Sequence, residues 1–324
     1  MFGPEARWTR RVFAPAAALM AWLKYAQKFV LIAIVLLAPL AFVVKSYLDV
    51  QSRDTAFAVK ERVGLVYLKP VTELLARVVR ARTLAVGLAA HEVGQSTFEA
   101  ARAQVLAAAA AVDGVRAAGV TLGLTGPWAT VKQQLDAVTS APVTTPHEAL
   151  TDYSEVTTAI ESLIGADGNN SNMILDPDND SYYIMDAVLN RLTVLIDSAG
   201  RAGDLQSVIA SGGTPTLAKR LTLEDLKGTI ATTLSNSDPD YASALQNTKD
   251  TALRGQLSGP MAALDNSLGA VSASLTAAVY GSPNGPAASR LASVAEVDAM
   301  TLDRRSLPAL DHLLAQRIAG FDSN

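Results

Sequence analysis

The chain has 324 residues, a formal net charge of −4 and no cysteine. Its 49% hydrophobic and 18% charged residues are enough to bury a sizeable core, and the missing thiols exclude disulfides, thiolate metal sites and cysteine nucleophiles. With a pI of about 5.5 there is no global basic field to gather phosphates, so nucleic acid is not an expected partner.

Near the N-terminus, FAPAAALMAWL (13–23) is apolar but too short to cross a bilayer, and it is expected to lie in the interface. FVLIAIVLLAPLAFVV (29–44) follows, uncharged and bounded by Lys28 and Lys45. Extended to residues 26–47, with both lysines snorkelling, it reaches the roughly 30 Å of a hydrocarbon core. Tyr25 and Tyr47 flank it as interfacial anchors, and Pro39 suits a membrane helix better than a soluble one. No A-x-A site follows, so the span reads as an uncleaved anchor. Arg7, Arg10, Arg11, Lys24 and Lys28 precede it while Lys45, Arg53, Lys60 and Arg62 follow, a slight excess that favours a cytoplasmic tail (1–25) and a periplasmic region (48–321).

Beyond Tyr47, turn signals stand at 119–127, 139–146, 165–170, 211–216, 235–240 and 281–286. Between them apolar residues recur at helical spacing. Ile184, Val188, Leu192 and Leu195 form one stripe, widened by Met185, Leu189 and Ile196. No alternating strand pattern competes with it. The expectation is an all-α fold: a membrane-anchored, elongated up-and-down helical bundle, as one unit or as two stacked modules sharing long first and last helices. The first of these helices should run to roughly His91 and the last from Pro286 to Phe321.

LDPDNDSYY (175–183) concentrates Asp176, Asp178 and Asp180 on alternate positions. A helix start accounts for all three, with Asp176 as N-cap, Pro177 first in the helix, and Asp178 and Asp180 in its positive first turn. A calcium loop would want glycine where Ser181 stands and a bidentate glutamate where Ala187 stands, so no metal is expected.

The wider segment SNMILDPDNDSYYIMDAVLNRL resembles the S-N-L-x-L-D-P-D-x-D-S-Y-Y-L-M-D segment of the extracytoplasmic sensor regions of bacterial methyl-accepting chemotaxis proteins. Related regions precede diguanylate cyclase and histidine kinase modules. KERVGLVYLKPVTELLARVVRAR (60–82) is similar to the family's first periplasmic helix, and LDHLLAQRIAGF (310–321) to its last helix before a second membrane span. Here Asn179 stands where the family often has leucine, and Thr193 replaces a common proline. Because no second apolar span or signalling module follows, 322–324 reads as a truncated junction and the chain as an amino-terminal fragment. The resemblance implies an inner-membrane receptor, usually a homodimer, whose periplasmic bundle binds a small molecule and passes helix shifts across the bilayer. A passive membrane-anchored scaffold is the alternative.

An anionic metabolite is the expected ligand, with Arg80, Arg82 and Arg201 as candidate contacts because guanidinium forks match carboxylates. Trp128, Tyr182 and Tyr183 could wall its pocket. His91, His147 and His312 are isolated, and no metalloprotease or phosphate-loop motif occurs, so neither catalysis nor a cofactor is expected.

Overall fold

A computed structural model describes residues 20–212 and 215–322. The described chain is helical, with no strands among those residues. The expected interfacial segment and tail lie mostly outside the described residues. Two compact units are resolved, one ending at Ala56 and one beginning at Phe57.

The first unit contains the start of α1 (Tyr25–Ala89). Its apolar stretch has a mean hydropathy of 2.5 over 18 residues, none of them buried. By length and composition this helix can cross a membrane.

From Phe57 onward α1 is the core of a helical bundle. Leu68, Leu75 and Arg82, spaced by seven, are buried along with Val71, Leu74, Val78 and Val79. The other helices are α2 (Gln95–Gly114), α3 (Arg116–Thr121), α4 (Thr125–Ser140) and α5 (Pro146–Asn170). A 3₁₀ turn (Met173–Leu175) leads to α6 (Asn179–Asp186), and α7 (Thr193–Gly212), α8 (Leu217–Asn247), α9 (Leu253–Tyr280) and α10 (Gly285–Asp322) complete the order. A π-helical segment, Ala187–Leu192, joins α6 to α7 without a break, since Asp186, Ala187 and Thr193 all keep right-handed helical dihedrals. Thr193 carries no proline ring, and its hydroxyl donates to the Leu189 carbonyl at 3.0 Å. The whole expected stripe from Ile184 to Ile196 is buried.

Two expected turns are helix instead. The 165–170 stretch ends α5, whose buried Leu163, Ile164 and Asp167 keep it packed to Asn170. The 235–240 stretch lies inside α8, Pro239 included. Tertiary contacts override the local signal there: the Tyr241 hydroxyl meets Ser306 Oγ at 2.8 Å, and Asp240 lies 3.4 Å from Arg191 Nε.

Helices α1 and α10 run antiparallel, joined by a ladder of polar contacts. Arg62 grips Asp311 through two hydrogen bonds of 2.6 and 3.1 Å. Thr72 donates to Asp303 at 3.0 Å, Arg304 to Glu73 at 2.6 Å and Arg80 to Ser293 at 2.7 Å. Sliding one helix past the other by a turn would break every rung.

Candidate ligand groove and two arginine clusters

The LDPDNDSYY segment starts its helix two residues later than the sequence suggests: Asp178, not Asp176, is the N-cap, and Pro177 lies before the helix. Asp176 instead accepts from the Asp178 backbone N–H at 2.9 Å, an Asx turn that holds residues 176–178 out of helical dihedrals. Asp180 accepts the Ser181 N–H at 2.9 Å in the first helical turn.

What grips the segment is Arg317 of α10. Its guanidinium lies 2.6 Å from Asp176 Oδ1, 2.5 Å from Asp178 Oδ2 and 3.0 Å from Glu61 Oε2 of α1, and it also donates to Ser181 Oγ. Three carboxylates thus converge on one cation. Burial, reinforced by Asp176 and Asp178 and opposed by Arg317, pushes the Glu61 carboxyl up to about 8. Among the described residues no group of three or more acidic or histidine side chains is arranged to hold a metal; the guanidinium supplies the positive charge at the motif.

A second arginine, Arg82, lies deeper and is fully enclosed. Its Nε donates to Asp204 at 2.7 Å, and Nη1 to Asp197 at 2.6 Å. Nη2 donates to the Asp197 carbonyl at 3.1 Å, and Ser154 Oγ is 3.4 Å from Nη1. Burial works against its charge, but the two carboxylates more than offset that and hold its pKa above the ordinary value. Gly200 is needed here: a Cβ would come within 2.5 Å of Val79 and 2.8 Å of Arg82. Nearby Glu296 is pushed up to about 8 by burial first and Asp204 second. Arg82 therefore has no free donor face to offer a ligand, contrary to its candidacy from sequence.

Arg201 does line a cavity. A groove of about 900 Å³ lies between α4 and α8, floored by α5 and α7, within the range of small-molecule sites. Its charged side chains are Arg201, Lys219 and Glu155, with His147 near the start of α5. Arg201 stands 3.9 Å from Asp197, too far for a hydrogen bond, and that carboxylate is already committed to Arg82. Nearby Glu161 is pushed up to about 7, chiefly by burial and then by Asp197. Arg201 is thus only loosely neutralised.

The other candidates are elsewhere. Arg80 is exposed and spent on Ser293. Trp128 lines a separate cavity of about 540 Å³ with Tyr67, and its indole N–H donates to Asp113 at 2.8 Å. Tyr182 and Tyr183 touch edge to face, 5.4 Å between centroids, Tyr183 packing on the core. None of these three aromatics lines the groove. Glu61, Asp197, Asp204 and Arg317 escaped the sequence reading. The available signal was a charge on an apolar stripe: Arg317 follows Leu310 by seven residues, as Arg82 follows Leu75, and both leucines are buried.

Compared with protein-family models, curated proteins and solved structures, the chain matches none.

Proposed function

We propose that this chain is the ligand-sensing extracytoplasmic part of a bacterial transmembrane signal-transduction receptor of chemoreceptor type. In this reading residues 26–47 span the inner membrane, the tail before them is cytoplasmic, residues 48–321 form a periplasmic up-and-down bundle, and the working form is a homodimer. The ligand is a small anionic metabolite held in the α4–α8 groove. A diguanylate cyclase or histidine kinase as the output would leave this assignment unchanged.

The observation that carries the reading is the shared carboxylate. Asp197 stands between Arg201 on the groove wall and Arg82 on α1, the helix that also contains the apolar segment. An anion arriving at Arg201 adds negative charge within one side chain of Asp197, the carboxylate that neutralises Arg82, and so bears on the packing of α1. Any difference in ligand affinity between two packings of α1 then becomes a shift in their populations, and 1 to 3 kcal/mol or so is enough for a signal.

A thermal-shift screen over organic acids, amino acids and polyamines tests the reading. An anion at a hundredfold excess over its dissociation constant adds about 2.7 kcal/mol, or several degrees at roughly 2 to 4 °C per kcal/mol. Arg201→Gln should lose that rise. If no compound shifts the midpoint, the scaffold alternative wins. Topology is tested by Asn236→Cys, an exposed position in a chain with no native thiol. It should react with a membrane-impermeant reagent in intact cells, and labelling only after lysis would refute the periplasmic assignment.

A further inference from the structure

Five of the six hydroxyls lining the groove have their protons already spent, and the sixth, Ser154, accepts from Arg82 Nη1 at 3.4 Å. Thr151 donates to the His147 carbonyl at 3.0 Å, Thr158 to Ser154 at 2.9 Å and Ser162 to Thr158 at 2.9 Å, all along α5. On α4 Thr130 donates to Gly126 at 3.4 Å, and on α8 Thr222 to Ala218 at 3.1 Å. A hydroxyl that back-bonds its own helix keeps only its acceptor lone pairs. Gln134 adds another acceptor: its Oε1 is buried in the same wall without a partner. The groove therefore presents acceptors on three helices together with two cations, Arg201 and Lys219.

A ligand that satisfies both must carry an anionic group and several donors. The donors must also be spread out, because Thr158 and Ser162 are four residues apart, roughly 6 Å along the helix. An ammonium group concentrates its three donors at one point, and a plain dicarboxylate has none. A chain or ring of hydroxyls ending in a carboxylate meets the pattern. We infer that the α4–α8 groove takes a polyhydroxylated carboxylate of sugar-acid type, with the carboxylate on Arg201 and its hydroxyls donating to acceptors within its length, such as Thr158 Oγ1 and Ser162 Oγ. This rests on the groove being the ligand site of the proposed sensor, and it goes further by fixing the ligand's chemistry.

The test is a thermal melt of the 324-residue chain in detergent against D-gluconate and D-glucuronate. Four controls are used: hexanoate keeps the carboxylate without hydroxyls, glucose keeps the hydroxyls without charge, and succinate and glutamate carry other anionic patterns. The expected result is a saturable midpoint rise of several degrees with a sugar acid and little with any control. Arg201→Gln should abolish the rise and Arg201→Lys should retain part of it. The Thr158→Val, Ser162→Ala double variant, both positions being exposed, should weaken it at least about threefold while leaving the unliganded midpoint in place. Equal stabilisation by hexanoate, succinate or glutamate would overturn the sugar-acid inference and leave the anion sensor standing. Equal stabilisation by glucose would overturn the role of Arg201 in both. No shift with any of these six compounds would overturn the sugar-acid inference alone, since the sensor reading falls only with a null across the whole screen of organic acids, amino acids and polyamines.

Discussion

Arg82 and Arg317 are the same device placed in two settings. Each is an arginine on the buried stripe of a long helix, and each binds two aspartates close in sequence on the α6–α7 side of the bundle. Arg82 is sealed: its carboxylates are at most 9% exposed, and one of them is completely enclosed. Arg317 borders an open polar cleft of about 490 Å³, and one of its carboxylates, Asp178, has a side chain 54% exposed. The difference teaches that identical ion chemistry becomes a fixed strut where water is excluded, and an adjustable clasp where one partner can be rehydrated.

The largest effect that would separate the two comes from removing the cations. Arg82→Met should destabilise the chain by about 3 to 5 kcal/mol, because it strands two carboxylates away from water. Arg317→Met should cost about half as much, since Asp178 can turn to solvent and Glu61 already favours its protonated form. Denaturant melts of both variants decide the matter; equal losses would abolish the distinction between strut and clasp.

A further effect is pH-dependent. Glu61 has a folded pKa of about 8 against an ordinary 4.5, so between those values the folded chain holds more protons than the unfolded one. The stability linked to this proton is full below pH 4.5 and is lost as pH rises through 8. Glu61→Gln should flatten that decline by up to about 3 kcal/mol between pH 5 and pH 8, read from midpoints at several pH values. A slope unchanged by the substitution would show that Glu61 is ionised throughout.

The smallest effect belongs to Asp180, which touches neither arginine and contributes one hydrogen bond to the Ser181 N–H in the first turn of α6. Asp180→Asn should stay within about 0.5 kcal/mol of the parent, whereas Asp176→Asn should cost clearly more, since Asp176 serves both the Asx turn and Arg317. The reverse order would restore simple helix capping as the purpose of the motif.

Helix content and the limits of the longest helices were legible because periodicity is a local property: α1 ends at Ala89 and α10 starts at Gly285, within two residues of the expected positions. The prominence of Asp176 and Asp178 was legible too. Their partner was not, because Arg317 lies 141 residues from Asp176 and nothing local ties the two together. Arg82 looked like a ligand contact for the same reason, since its carboxylates are supplied by α7 from more than a hundred residues away. Pro239 marks the opposite failure, where a strong local signal for a turn yields to packing around Tyr241.

The π segment between α6 and α7 settles how one continuous helix can serve both arginines. In an unbroken α-helix the sixteen residues from Ser181 to Asp197 would leave their side chains about 160° apart around the axis, on nearly opposite sides. A single π turn takes up one surplus residue, which brings that angle to about 60°. Ser181 can then reach Arg317 while Asp197 reaches Arg82. Ala187–Leu192 is thus a phase corrector. Dropping one of its six residues would restore a regular helix with both ends still facing the same way, whereas the same deletion in the middle of α7 would turn Asp204 about 100° away from the arginine it neutralises.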